Sequence, residues 1–107
     1  GAIESKIIGD IGKQTGLIIS TGGGAVTIPK NYAPLRQNGR IYEIYRPLEE
    51  LDTAGRVLSS GGIERLEQLY TERAPLYEKF RQVQVENTGT PENVAQRILE
   101  DLYNHLA

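Results

Sequence analysis

The chain has 107 residues, a net charge of −2 at pH 7 and 38% hydrophobic residues, which suits one small globular domain with a modest core. It contains no cysteine and a single histidine, so a disulfide scaffold, a cysteine nucleophile and a histidine-rich metal centre are excluded. Because no basic cluster stands out, we do not expect general electrostatic binding to nucleic acid.

The first predicted elements are a helix, a strand and a glycine turn. Apolar residues at positions 3, 7, 8 and 11 share one face, which predicts a helix over residues 3–14 with Gly16 as its C-cap glycine. Residues 17–21 are apolar and β-branched, which predicts a short strand. The glycines at 22–24 then allow a ligand to approach the backbone closely and allow positive φ. Since ligands of α/β sheets bind where strands end, this turn is a candidate binding loop.

The remaining pattern alternates helices with strands. Two further strands are predicted at residues 40–45 and 82–86. Helical segments are predicted at residues 29–36, 48–51 and 63–80 and from Pro91 onward, with a mobile loop at residues 52–62. Pro75 should bend or break the long helix, and Thr90 should cap the last one. The alternation predicts an α/β fold in which right-handed crossovers join parallel strands.

Four groups of residues occur in an order and spacing that is typical of one enzyme family. They are Thr21-Gly-Gly-Gly-Ala-Val26; Pro29-Lys-Asn31-Tyr32 with Leu35-Arg-Gln-Asn-Gly39; Arg46-Pro-Leu48 with Gly55-Arg56; and Glu72-Arg73-Ala-Pro-Leu-Tyr77. Together they resemble the shikimate kinase family, from Glu4 to the last helix. The resemblance implies a three-layer P-loop kinase fold with a parallel sheet, truncated here to about three strands. It also implies a cytoplasmic enzyme that phosphorylates the 3-hydroxyl of shikimate with ATP and Mg²⁺ in aromatic amino-acid synthesis.

The resemblance assigns shikimate-binding roles to particular residues. These are Glu4, Gly22, Gly23, Gly24 and Arg73. In the family, backbone N–H groups of the triple glycine contact shikimate. Arg73 resembles the arginine that pairs with the shikimate carboxylate, a task that suits the planar fork of a guanidinium group. Glu4 resembles the acid that orients a motif arginine, whose own position is Gly1 in this chain.

The nucleotide side of the site is only partly represented. Arg56 resembles the lid arginine that swings onto the transferring phosphate and offsets its charge. The stretch that corresponds to the adenine loop includes Asn87, Thr88 and Pro91. No P-loop of the form G-x-x-x-x-G-K-[ST] occurs, because Gly12-Lys13-Gln14 lacks both the first glycine and the hydroxyl residue. The resemblance implies ATP and Mg²⁺ as cofactors of the full-length family. Because the P-loop is absent from this sequence, we expect the chain to be inactive alone.

The missing P-loop segment would also carry two strands of the sheet. In the family the strand order is 2-3-1-4-5, and the missing strand 1 lies between the strands predicted here at residues 17–21 and 40–45. Buried backbone groups left unpaired cost about 1–3 kcal/mol each. The chain should therefore rearrange, self-associate through exposed sheet edges or stay partly molten. Two other interpretations stay open: a non-catalytic module without a P-loop that binds a small carboxylate, and a polypeptide made for folding studies.

Overall fold

A computed structural model describes residues 2–46 and 62–106. Its helices are α1 (Ala2–Ile11), α2 (Tyr32–Gln37), α3 (Gly62–Phe80) and α4 (Pro91–Leu106), and its strands are β1 (Tyr42–Tyr45) and β2 (Val83–Glu86). Short 3₁₀ segments occur at Gly23–Thr27 and Pro29–Asn31. The chain divides into two compact units, one of Gly1–Ile41 with Glu72–Gln82 and the other of Tyr42–Thr71 with Val83–Ala107.

The second unit contains a parallel sheet. β1 and β2 pair with Tyr42 opposite Val83 and Tyr45 opposite Glu86. Along β2 the buried Val85 lies between exposed neighbours, as a strand with one covered face requires. The predicted parallel α/β arrangement is confirmed, with two strands instead of three in the described part of the chain.

Helix α4 begins where the sequence predicts. The backbone N–H of Asn93 donates to the Thr90 hydroxyl at 3.1 Å, which satisfies one of the donors that a helix N-terminus leaves unpaired. The helix then packs against β2 with Val94 buried. The Tyr42 hydroxyl donates to the Asp101 carboxylate at 2.7 Å and so joins β1 to α4.

The first unit is built around the contact of α1 with α2 and with Pro29–Asn31. Gly12 follows α1 directly, and a Cβ there would overlap the Pro34 carbonyl, so only glycine permits this close approach. The Gly12 carbonyl accepts hydrogen bonds from the side chains of Gln37 and Asn38 at 2.8 and 3.1 Å. Among the described residues of this unit, three apolar side chains are buried: Ile8, Ala25 and Phe80.

The strand predicted at residues 17–21 is not formed. These residues have no regular secondary structure, and all of them are exposed. Apolar β-branched residues favour a strand only where a neighbouring strand satisfies their backbone groups, and no described residue does so here. The prediction was wrong because strand formation depends on a partner.

Two helix predictions also need correction. α1 ends at Ile11 and not at residue 14, and Gly16 has a φ of 76° but lies beyond the intervening turn, so it is not an adjacent C-cap. A break at Pro75 is wrong, because α3 continues through Pro75 to Phe80, whereas a bend at Pro75 stays a prediction. The helix predicted at residues 29–36 is confirmed as Pro29–Asn31 followed by α2.

Some predictions fall outside the described residues. They are the helical turn at residues 48–51 and the mobile loop at residues 52–61; residue 62, predicted as the end of that loop, begins α3. Across residues 2–46 and 62–106, no helix combines the length and hydropathy that a membrane crossing requires.

Candidate functional site

The glycine turn meets the C-terminal part of α3 within the first unit. The Tyr77 hydroxyl donates to the carbonyl of Gly23 at 3.0 Å. A Cβ built on Gly23 would lie 3.6 Å from Nη1 of Arg73, and one built on Gly24 would lie 3.7 Å from Nη2. The guanidinium of Arg73 therefore lies against two of the three glycines.

Helix geometry explains why these two side chains reach the same turn. Arg73 and Tyr77 are four residues apart on α3, and side chains at that spacing share one helix face. Both are half-buried. No hydrogen bond or ion pair joins Arg73 to another residue within the described ranges, so its guanidinium donors are available beside the turn.

Glu4 contacts the turn at its first glycine. Its Oε2 atom accepts a hydrogen bond from the Gly22 N–H at 3.4 Å, a long distance for such a bond. Glu4 comes from the first turn of α1 and is half-buried. The structure thus brings together the five residues predicted for shikimate binding: Glu4, Gly22, Gly23, Gly24 and Arg73.

The glycines at 22–24 do not adopt the positive φ that the sequence analysis expects as one reason for glycine in this turn. Among the described residues, positive φ occurs only at Gly16 and Gly89, so the turn at 22–24 does not use left-handed backbone. At Gly23, by contrast, a Cβ would lie 2.9 Å from the Tyr77 hydroxyl, which is shorter than real Cβ contacts. Glycine is needed here for close approach and not for an unusual φ.

A residue that sequence reasoning did not single out supports the turn. Asn31 is fully buried, and its Nδ2 donates to the carbonyl of Ala25 at 3.0 Å. The Ala25 N–H in turn donates to the carbonyl of Gly22 at 3.2 Å. Asn31 lies in one of the motif groups quoted above, Pro29-Lys-Asn31-Tyr32. Its place in that motif is the sequence feature that could have pointed to a role at the turn.

The Gly12-Lys13-Gln14 segment does not form a phosphate cradle. It is a turn after α1 and not part of a helix. The N–H of Gly12 donates to the carbonyl of Ile8 at 2.8 Å, and the N–H of Gln14 donates to the carbonyl of Ile11 at 3.0 Å. Because a P-loop needs free N–H groups that converge on the phosphates, these bonds agree with the absence of the sequence pattern.

The loop predicted to contact adenine lies in the second unit. Its Asn87 N–H donates to the carbonyl of Tyr45, and Nη2 of Arg97 donates to the carbonyls of Glu86 and Thr88 at 2.7 and 3.1 Å. The side chains of Asn87 and Pro91 are exposed, and Thr88 is half-buried. Arg56 lies outside the described residues. In the part of the chain that the structure describes, no cluster of acidic, histidine or cysteine side chains could hold a metal ion.

Proteins similar to this chain in sequence include shikimate kinases. A family model described as "Shikimate kinase" matches residues 2–103. The shikimate kinase of Halorhodospira halophila is 38% identical, over 94% of this chain and 62% of that protein. The shikimate kinase of Clostridium botulinum strain Alaska E43 is 36% identical, over 96% of this chain and 65% of that protein.

A solved structure gives the same result for the fold. The shikimate kinase from Acinetobacter baumannii, in complex with shikimate, matches with a TM-score of 0.82 and 27% identity. The match covers 97% of this chain and 63% of that one. The chain therefore spans less than two thirds of the length of these relatives and corresponds to their C-terminal part. It belongs to the shikimate kinase family.

Proposed function

We propose that this chain is the shikimate-binding part of a cytoplasmic shikimate kinase and that Arg73 and the glycine turn hold the substrate. One observation carries the proposal: the half-buried guanidinium of Arg73 lies against Gly23 and Gly24 and has no partner among the described residues. A half-buried arginine with unused donors is suited to a carboxylate ligand.

The donors around the turn match the groups of shikimate. The carboxylate accepts two hydrogen bonds from Arg73, which fixes the orientation of the ring. The N–H groups of Gly23 and Gly24 form no hydrogen bond with a described residue, so they are available for substrate hydroxyls. Glu4 contributes a second fixed charge near Gly22. Charged and neutral donors at one turn would select a small polar acid.

The chain's own residues do not fit the triphosphate and Mg²⁺ that shikimate kinases use. The sequence has no P-loop, and the N–H groups of Gly12 and Gln14 are already bonded. Phosphoryl transfer depends on positioning and electrostatic stabilisation of the phosphates, which this chain cannot supply alone. We therefore propose that the isolated chain is inactive, and that Arg56 on phosphate and Asn87, Thr88 and Pro91 on adenine act only in a complete kinase.

A titration of the ¹⁵N-labelled chain with shikimate tests the substrate role. We expect the amide signals of Gly22, Gly23 and Gly24 to shift, with affinity at least tenfold weaker in Arg73→Ala. Arg65→Ala is the matched control, since Arg65 is an exposed arginine on the same helix, eight residues before Arg73. Shikimate methyl ester should bind weakly, because it lacks the carboxylate. Unchanged binding in Arg73→Ala would contradict the proposal.

A second candidate function rests on the missing P-loop. A module that binds a small carboxylate without catalysis would use the same Arg73 site and need no nucleotide. Titration with benzoate and quinate separates the two, because a kinase fragment should prefer shikimate and a general carboxylate module should not. Release of ADP by the isolated chain in a coupled assay with shikimate would contradict both the proposed inactivity and the non-catalytic module.

A further inference from the structure

We propose that Tyr77 is a positioning residue for the substrate. Its hydroxyl fixes the direction and the donor strength of the Gly24 N–H, and it acts through the peptide group that joins Gly23 to Gly24. This role rests on the proposed function, because it concerns the same glycine turn and the same arginine.

The Gly23 carbonyl and the Gly24 N–H belong to one peptide group. The Tyr77 hydroxyl donates to that carbonyl at 3.0 Å. No peptide bond among the described residues is cis, so the carbonyl and the N–H point in opposite directions within one plane. A hydrogen bond that holds the carbonyl therefore also holds the direction of the N–H.

The same hydrogen bond makes the Gly24 N–H a stronger donor. A carbonyl that accepts a hydrogen bond polarises its peptide group, and linked hydrogen bonds strengthen one another by about 10–30%. The Gly24 N–H forms no hydrogen bond with a described residue, and Gly24 is half-buried at the edge of an exposed turn. The polarised N–H is thus available to a hydroxyl oxygen of the substrate.

Tyr77 also differs from the other donors to carbonyls of the turn. The Gly22 carbonyl accepts from the Ala25 N–H at 3.2 Å, and the Gly24 carbonyl accepts from the Thr27 hydroxyl at 2.6 Å. Both of these donors move with the turn. The Tyr77 hydroxyl comes from α3, 54 residues further along the chain, and so ties the turn to another element.

That element is the helix that carries Arg73. Arg73 lies one helical turn before Tyr77 on the same face. Its Nη1 and Nη2 atoms lie 3.6 and 3.7 Å from Cβ positions built on Gly23 and Gly24. One helix face therefore sets the guanidinium and the N–H relative to each other. Donors that are in place before binding favour a ligand that uses both, namely an acid with a hydroxyl group.

The comparison of two acids tests the role. Shikimate has a carboxylate and hydroxyls, whereas 1-cyclohexenecarboxylate has the same carboxylate on an unsaturated ring without hydroxyls. NMR titration of Tyr77→Phe should show shikimate binding weakened about three- to tenfold, the range of one neutral hydrogen bond, and 1-cyclohexenecarboxylate binding unchanged. A purely structural role would weaken the binding of both acids alike, because both need Arg73 in place.

The chemical shifts of the free chain locate the effect. In Tyr77→Phe the ¹³C carbonyl signal of Gly23 and the ¹H amide signal of Gly24 should move upfield, because the carbonyl loses its hydrogen bond and the N–H is less polarised. Tyr70→Phe is the matched control, since Tyr70 lies on the same helix and its hydroxyl bonds no residue in the described ranges. This control should leave both signals and both affinities unchanged.

The variants also separate this role from the proposed function. If the wild-type chain binds no shikimate, or Arg73→Ala binds it equally well, the proposed function fails and the role of Tyr77 fails with it. If Arg73→Ala weakens binding but Tyr77→Phe spares shikimate or weakens both acids equally, only the role of Tyr77 is overturned. An unchanged Gly23 carbonyl signal in Tyr77→Phe would overturn that role as well.

Discussion

The Tyr77 hydroxyl donates to the carbonyl of Gly23 at 3.0 Å. A Cβ built on Gly23 would lie only 2.9 Å from the oxygen of this Tyr77 hydroxyl. The hydrogen bond and the lack of a side chain therefore depend on each other. This pair fixes the spacing between α3 and the glycine turn, and it is the first place where the geometry of the candidate site can be tested.

Tyr77→Phe should lower the free energy of unfolding by about 0.5–1.5 kcal/mol, the typical net value of one hydrogen bond. Gly23→Ala should cost a similar amount, because its methyl group displaces the hydroxyl. The double variant should lose less than the sum, with a coupling of about 0.5 kcal/mol or more, since Phe leaves room for the methyl group. Urea unfolding of the four proteins measures the cycle. Strict additivity would contradict the contact.

Gly9→Ala and Gly12→Ala should have opposite effects. Gly9 lies inside α1, and apart from the backbone of this helix no described residue comes within 4 Å of a Cβ built there. Alanine at Gly9 should therefore stabilise the chain by roughly 0.5–1 kcal/mol through its better helix propensity. At Gly12 a Cβ would overlap the Pro34 carbonyl and destabilise the contact of α1 with α2. Thermal unfolding monitored by circular dichroism should show a higher Tm for Gly9→Ala and a lower Tm for Gly12→Ala. Equal changes in Tm would refute the packing described for Gly12.

Asn31→Ala should destabilise the chain by about 0.5–1.5 kcal/mol, because the buried carbonyl of Ala25 loses its side-chain donor and keeps only the Ile28 N–H at 3.4 Å. The buried Oδ1 of Asn31 has no hydrogen-bond partner among the described residues, so its removal offsets part of the loss. Asn38→Ala is the matched control. Asn38 is exposed and donates to the carbonyl of Gly12, which also accepts a hydrogen bond from Gln37. Equilibrium unfolding compares the two. A loss at Asn31 no larger than that at Asn38 would show that the amide does not support the turn.

Thr90→Ala should cost about 1 kcal/mol, within the range of roughly 0.5–2 kcal/mol for N-cap removal, because Asn93 loses its acceptor. Thr71→Ala provides the comparison on α3. There the hydroxyl bonds the carbonyl of Glu67 within the helix at 2.9 Å, and alanine is the better helix former, so we expect no loss or a small gain. Hydrogen exchange at the first turn of α4 should increase only in the Thr90 variant.

Local patterns in the sequence were sufficient for several elements. Thr90-Pro91 predicted the start of α4, and the alternation around Val83 and Val85 predicted β2. These predictions succeeded because a cap and an alternating strand depend on residues within a few positions of one another. The same local reasoning did not decide between a bend and a break at Pro75; α3 continues through this residue, since tertiary packing can outweigh the loss of one backbone hydrogen bond.

The chemistry of the chain was set by the sequence alone: the glycines at 22–24, the arginine motif at 73–77 and the lack of a P-loop follow from residue identity and order. Only the tertiary structure decided that Arg73 and Tyr77 meet Gly23, that Asn31 supports the turn, and that residues 17–21 form no strand. Contacts between distant segments depend on how helices pack, and a strand depends on a partner for its backbone groups. Neither condition is written in a local pattern.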